Sequence, residues 1–311
     1  MQLTPLAPMD YELWRHRTRE RLIALHQDSG LRPGHDAVEH ADQYFDELLP
    51  DGIDTENARL LRIVDDAEGE LGTVWLGISP TRLFIVDLTL TRVPSEAQND
   101  ELFRALLEIA DEVGVSSMTM AVFSQDAEGH RFVAGRGFEV ASVQMLLDPL
   151  PERPVAEHVR VQPMTPERFE RFGASTQAAF AHDLVQSGRY GHEDAREESA
   201  RQFARELPQG LATPGQALFT ATADGEEVGI LWIGMREREG RPHAFVLDVE
   251  VSPDHRRRGF GRELMHAAEQ EARARGADSI GLHVFGFNTG AAAMYEQLGY
   301  RRVEELFLYE R

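Results

Sequence analysis

From residue 158 onward, the spacing of apolar positions switches repeatedly between helical and strand periods. A helix is predicted around Pro166–Phe180 and a second through Asp194–Leu207. Three strand-like runs follow: "ALFTATA", then "EVGILWIGM" after an Asp224-Gly225 turn, then "AFVLDVEVS". The segment "GRELMHAAEQEARARG" returns to helical spacing through Leu264, Met265, Ala268 and Ala272, with Gly276 as its stop. A strand "SIGLHVF", a helix "NTGAAAMYEQLG" and a closing strand "RVEELFLYE" complete a mixed α/β pattern.

The first half carries the same pattern. "LTPLAPMDYELW" (Leu3 to Trp14) lines up with "VQPMTPERFERF" (Val161 to Phe172), matching Pro5 to Pro163 and Pro8 to Pro166. The same offset carries Ser29-Gly30 onto Ser187-Gly188 and Phe45 onto Phe203. Then "GTVWLG" meets "GILWIG", "FIVDLTL" meets "FVLDVEV", and Val122-Phe123 meets Val284-Phe285. So ordered a series marks an internal duplication. The seam is the proline-rich "DPLPERPVAEH", which puts one domain at 1–150 and another at 158–311, each with its own core. A length of 311 residues also suits two domains, since one is typically about 100–150.

Composition narrows the function. With 42% apolar residues the chain can build cores, and with no cysteine it has neither disulfides nor thiolate–zinc sites. A net charge of −21 argues against nucleic acid and favours cationic partners such as amines. All 32 basic residues are arginine. The N-terminal segment has no apolar run suited to a signal peptide or a membrane span, so a cytoplasmic protein is expected. The remaining histidines lack metal-ligand spacing, and no metal is expected.

One segment carries recognisable chemistry. In "VEVSPDHRRRGFGRELM" a strand runs into an arginine- and glycine-rich turn that opens a helix. Such a turn presents unpaired backbone N–H groups and the positive end of a helix dipole, which together make an anion site. Gly259 and Gly261 lack a Cβ that would obstruct a phosphate, while Arg256, Arg257, Arg258 and Arg262 supply charge. A Walker A loop is excluded because the chain has no lysine. A dinucleotide fingerprint fails because "GFGREL" puts Leu264 in its third glycine position.

Arg256-x-x-Gly259-x-Gly261 resembles the pyrophosphate turn of the GNAT superfamily of N-acetyltransferases. Asn288, Tyr295 and Gly299-Tyr300 resemble that family's next segment. The resemblance implies tandem domains, each a twisted mixed sheet with helices on both faces. It also implies acetyl-CoA, or another acyl-CoA, as donor to a small-molecule primary amine. On these positions Val249 and Val251 would face the pantetheine and thioester. Arg256, Arg257, Arg258, Gly259, Phe260, Gly261 and Arg262 would hold the pyrophosphate, Asn288 the cofactor arm, and Tyr295 would act as general acid. His283 and Glu250 are candidate bases, with a water relay as a third route. At two earlier positions where relatives carry a base, this chain has Phe245 and Leu247. The acceptor pocket is expected in the 173–192 stretch, with Phe180, His182, Asp183 and Tyr190 as contacts.

In the first copy "SEAQND" (Ser95 to Asp100) replaces "RRRGFG", and Ala121, Asp126 and Val133 replace His283, Asn288 and Tyr295. Only the second copy is therefore expected to be active, an arrangement that resembles the mycothiol synthase family. The competing reading is a non-catalytic acyl-CoA-binding sensor. No membrane partner is expected, and the assembly is expected to be a monomer or a homodimer.

Overall fold

The computed structural model describes residues 1–65, 67–188 and 190–311. The duplication is visible element by element. The first copy runs β1 (Gln2–Pro5), α1 (Tyr11–Ser29), α2 (Gly34–Leu48), β2 (Ala58–Asp65), β3 (Gly69–Ile78), β4 (Leu83–Leu90), α3 (Glu96–Glu112), β5 (Ser117–Phe123), α4 (Ala127–Val133) and β6 (Glu139–Leu147). The second runs β7 (Val159–Pro163), α5 (Pro166–Gln186), α6 (His192–Glu206), β8 (Gln216–Ala223), β9 (Glu226–Arg238), β10 (Arg241–Val251), α7 (Phe260–Ala274), β11 (Ile280–Phe285), α8 (Thr289–Gln297) and β12 (Arg301–Glu310). The first predicted helix continues two turns past Phe180, because nothing in "AHDLVQ" breaks it before Ser187-Gly188.

The chain forms two compact units, Met1–Ala141 with Val303–Arg311, and Ser142–Arg302. Within the first, the strand order is β1-β2-β3-β4-β5-β12; within the second it is β6-β11-β10-β9-β8-β7. The terminal strand of each repeat thus serves the unit built mainly from the other. Glu304 to Glu310 pair antiparallel with Phe123 to Ser117, and Ser142 to Leu147 pair antiparallel with Phe285 to Ile280. The seam segment is tied to the second unit: Arg153 contacts the fully buried Glu269 carboxylate at 3.0 Å and the Leu298 carbonyl at 2.7 Å.

Strand alternation sends successive side chains to opposite faces of each sheet. In the first unit Leu60 and Trp75 pack with Trp14 and Phe45 of α1 and α2. Leu61, Val74 and Leu76 face Leu102 and Leu106 of α3. In the second unit Ile230 and Trp232 pack with Phe172 and Phe203 of α5 and α6, while α7 covers the opposite face of β9 and β10. The repeated glycines Gly72 and Gly229 have a steric cause. A Cβ there would lie 2.0 Å from the Thr89 carbonyl oxygen in one copy and 2.2 Å from that of Glu250 in the other.

Both copies break the alternation at the same place. β10 pairs with β9 with a register shift between Val246 and Asp248, and β4 pairs with β3 with one between Ile85 and Asp87. A bulge aims two successive side chains to one side. Leu247 joins the cluster under α5 and α6, and Asp248 also meets α5.

Candidate active site

The only parallel pairing in the second unit, among the described residues, is short. β10 and β11 align through Ala244 to Val246 against Ile280 to Leu282 and then diverge. β10 stays paired with β9 to Val251, and β11 stays paired with β6 to Phe285. A cleft therefore opens between Val249–Val251 on one side and His283–Phe285 on the other.

At the end of β10 the chain turns through Pro253–His255 and enters α7 at Phe260. Arg257 (φ 58°) and Gly259 (φ 91°) both adopt the left-handed region. That conformation costs a residue with a Cβ about 1–2 kcal/mol, so Arg257 holds strain where the chemistry is expected. Gly259 caps the helix without a side-chain bond, and nothing lies within 4 Å of where its Cβ would sit. Among the described residues no hydrogen bond takes up the N–H groups of Gly259, Phe260 or Gly261. Arg256, Arg257, Arg258 and Arg262 are exposed around them. Arg256 Nε donates to the Val251 carbonyl, Arg258 lies 5.3 Å over the Phe260 ring, and Arg262 donates to Gln297. The Phe260 side chain itself is buried. Gly261 serves packing as well, since a Cβ there would come 3.2 Å from Met294 Sδ. Exposed arginines, open N–H groups and an unobstructed glycine fit a polyphosphate.

Asn288 caps α8, its side-chain oxygen accepting from the Ala291 N–H at 3.3 Å. Tyr295, on the same helix, is 94% buried, and no hydrogen bond to its hydroxyl is present among the described residues. Burial, and then the charge of Asp248, push this phenol up to about 12. His283 is exposed on β11, edge-on to Phe245 at 5.5 Å, and Glu250 is exposed on β10.

Asp248 was not singled out by the sequence. Its Oδ2 accepts from Thr176 Oγ1 of α5 at 3.1 Å. Burial raises its carboxyl to about 6; Glu250 and Asp183 push it further up, while the Thr176 bond and the Val249 N–H work against the rise. Phe245 and Leu247 stand at the two β10 positions where the resemblance would place a base, and the bulge brings Asp248 to α5 instead. Its signal was present: aspartate recurs at the same point of both copies, as Asp87 and Asp248, inside an otherwise apolar strand.

Of the expected acceptor contacts, Phe180 and Asp183 share one face of α5 with Thr176. Phe180 packs 6.2 Å from Phe285, which stacks on Phe287. His182 is exposed, and Tyr190 packs beside Phe180 against Ala181, Leu184 and Ala195. Arg189 of that stretch lies outside the described residues. Among the described residues no helix is long and apolar enough to cross a membrane, and no group of three acidic or histidine side chains is arranged to hold a metal.

The Acetyltransferase (GNAT) family profile matches residues 179–300. The uncharacterized N-acetyltransferase YycN of Bacillus subtilis is 31% identical over 147 residues, covering 47% of this chain and 94% of that protein. The chain belongs to the GNAT family. A mycothiol acetyltransferase of Propionibacterium freudenreichii is 30% identical over 159 residues, covering 51% of this chain and 48% of that protein. A GCN5-related N-acetyltransferase from Sphaerobacter thermophilus matches in structure over 99% of this chain and 95% of that one (TM-score 0.54, 18% identity), a likeness of fold spanning both GNAT copies.

The first GNAT copy keeps the diverging strands and the aspartate but closes the helix end and fills the space between them. Ser95 caps α3 through a reciprocal capping box with Gln98, closing the helix end that stays open at α7. Glu96 on that first turn and Asp100 on the next pair with the buried Arg136. β4 and β5 also pair only through Leu83 to Ile85 against Met118 to Met120. Beyond them, Arg21 of α1 enters the space, binding Asp87 and Asp126 at 3.0 Å each. The hollow left there is about 20 Å³.

Proposed function

We propose that the protein transfers an acetyl, or another acyl, group from a CoA thioester to a primary amine, at one site in the second copy. The observation that carries this reading is the cleft between the diverging β10 and β11, with the open, arginine-ringed end of α7 just beyond β10. Family membership supports acyl transfer in general. The donor, the acceptor and the roles below are supported by the local geometry.

In this reading the N–H groups of Gly259, Phe260 and Gly261, with Arg256, Arg257, Arg258 and Arg262, hold the pyrophosphate. Val249, Val251 and Asn288 line the arm that brings the thioester into the cleft. Asp248 takes one proton from the incoming ammonium, leaving a neutral nucleophile. As the C–N bond forms and the C–S bond breaks, the Tyr295 hydroxyl gives its proton to the departing sulfur and regains one from the new amide nitrogen. The thiol, the amide and one proton are the net products. Asp248 and Tyr295 act in sequence. A charged Asp248 helps keep the phenol protonated, and once Asp248 is neutral that restraint goes, making Tyr295 a stronger acid when it is needed. Positioning of amine and thioester supplies much of the remaining acceleration.

The test is amine-dependent thiol release from acetyl-CoA across a panel of amines. Turnover is expected, and Tyr295→Phe is expected to lower kcat at least ~10-fold with donor binding preserved. Donor binding without turnover on any amine would leave a non-catalytic binder.

A further inference from the structure

The two copies differ at their shared aspartate in one instructive way. In the first, Asp87 is satisfied from within: the Arg21 guanidinium bonds Asp87 Oδ1 and Asp126 Oδ2, and Thr89 completes the carboxylate. At the offset relating α1 to α5, Ala179 stands where Arg21 would be. The second copy therefore keeps the carboxylate and lacks the cation. The first copy displays what the missing group resembles, a positive charge on a flexible apolar stem.

More than one negative charge gathers around the vacated place. Glu250 lies two residues beyond Asp248, on the same face of its strand. Asp183 lies seven residues beyond Thr176, two helical turns along the same face of α5. Among the described residues no arginine pairs with Asp183, Asp248 or Glu250; the imidazole of His182 is the nitrogen base beside Asp183. Tyr295, 94% buried on α8, feels the charge of Asp248. An apolar wall runs alongside: Phe180 against Phe285, and Phe285 stacked at 5.4 Å on Phe287, which is 40% exposed.

Building on the transferase reading, we propose that the acceptor is a diamine or longer polyamine. Its reacting nitrogen lies at Asp248 and Tyr295, and a second ammonium is held by Glu250 and Asp183. Two strand residues span ~7 Å and two helical turns ~10 Å, so the second charge sits ~7–10 Å from the first. A stem of four or five methylenes covers the shorter distance and lies along the phenylalanine wall. Charge-assisted bonds to the second ammonium make it the specificity determinant.

The experiment compares 1,5-diaminopentane with 1-aminopentane, which share a stem and differ in one charge. Thiol release from acetyl-CoA and calorimetric binding of each amine in the presence of CoA are both measured on the full chain. The diamine is expected to be favoured ~30-fold or more in kcat/KM, and Asp183→Asn should shrink that ratio ~10-fold or more. Equal kcat/KM for the two amines overturns the proposal while leaving the transferase reading intact. Preferential diamine binding without thiol release supports the second-charge site and overturns the transferase reading. Neither binding nor release overturns the polyamine proposal and leaves the transferase reading to the wider amine panel.

Discussion

Thr176 on α5 donates a 3.1 Å hydrogen bond to Asp248 on β10. The bond joins α5 to the strand that leads into the α7 turn, and it engages Asp248 Oδ2. It forms because the β10 bulge turns Asp248 toward α5.

Asp248 is therefore expected to govern the acid limb of the rate profile. Its carboxyl, raised to about 6 by burial, works as a base only when ionised, so kcat/KM should rise with pH through about 6. Asp248→Asn should remove this limb and most of the activity, whereas His283→Ala should keep it. Loss of the limb in His283→Ala instead would transfer the role to the imidazole. For stability the sign is opposite. A raised carboxyl favours the folded state most below its unfolded value near 3.8, and that contribution fades as pH rises through about 6.

Arg21→Ala should strongly destabilise the first unit. It would leave Asp87, with a side chain 1% exposed, and Asp126, at 9%, without their cation. Breaking a buried pair this way typically costs about 3–5 kcal/mol. The deficit should be smaller at low pH, where burial already favours protonated Asp87. Denaturant melts at pH 5 and pH 8 test this, and a variant as stable as the parent would contradict it.

A fragment of residues 158–311 should fail to act as an independent enzyme. It would lack β6, which pairs along β11 and brings the buried Val143, Met145, Leu146 and Leu147. It would also carry β12 without β5. Burying four such side chains contributes roughly 6–12 kcal/mol, comparable to the whole stability of a typical domain. Expression of the fragment beside the full chain, with melting temperature and turnover compared, should show large losses in both. Equal values would make the first copy dispensable.

Much of this was legible in the chain. The duplication, the order of elements and the turn from Arg256 to Arg262 follow from period, repeat offset and glycine placement, all of which are local signals. The partners of β6 and β12 were not, because strand pairing across well over a hundred residues leaves no local trace. Asp248 was hidden by a bulge that strict alternation cannot express. Arg21 looked like one more charge on a helix until folding brought it to Asp87 and Asp126.

Calorimetric titration of the full chain with acetyl-CoA is the most direct test of the central claim, a single donor site in the second copy. The predicted result is one mole bound per mole of chain. Binding should be sharply weakened by Arg257→Glu, which reverses an exposed charge at the α7 turn, and retained in Arg136→Met in the first copy. Two moles bound, or one mole insensitive to Arg257→Glu, would contradict the account.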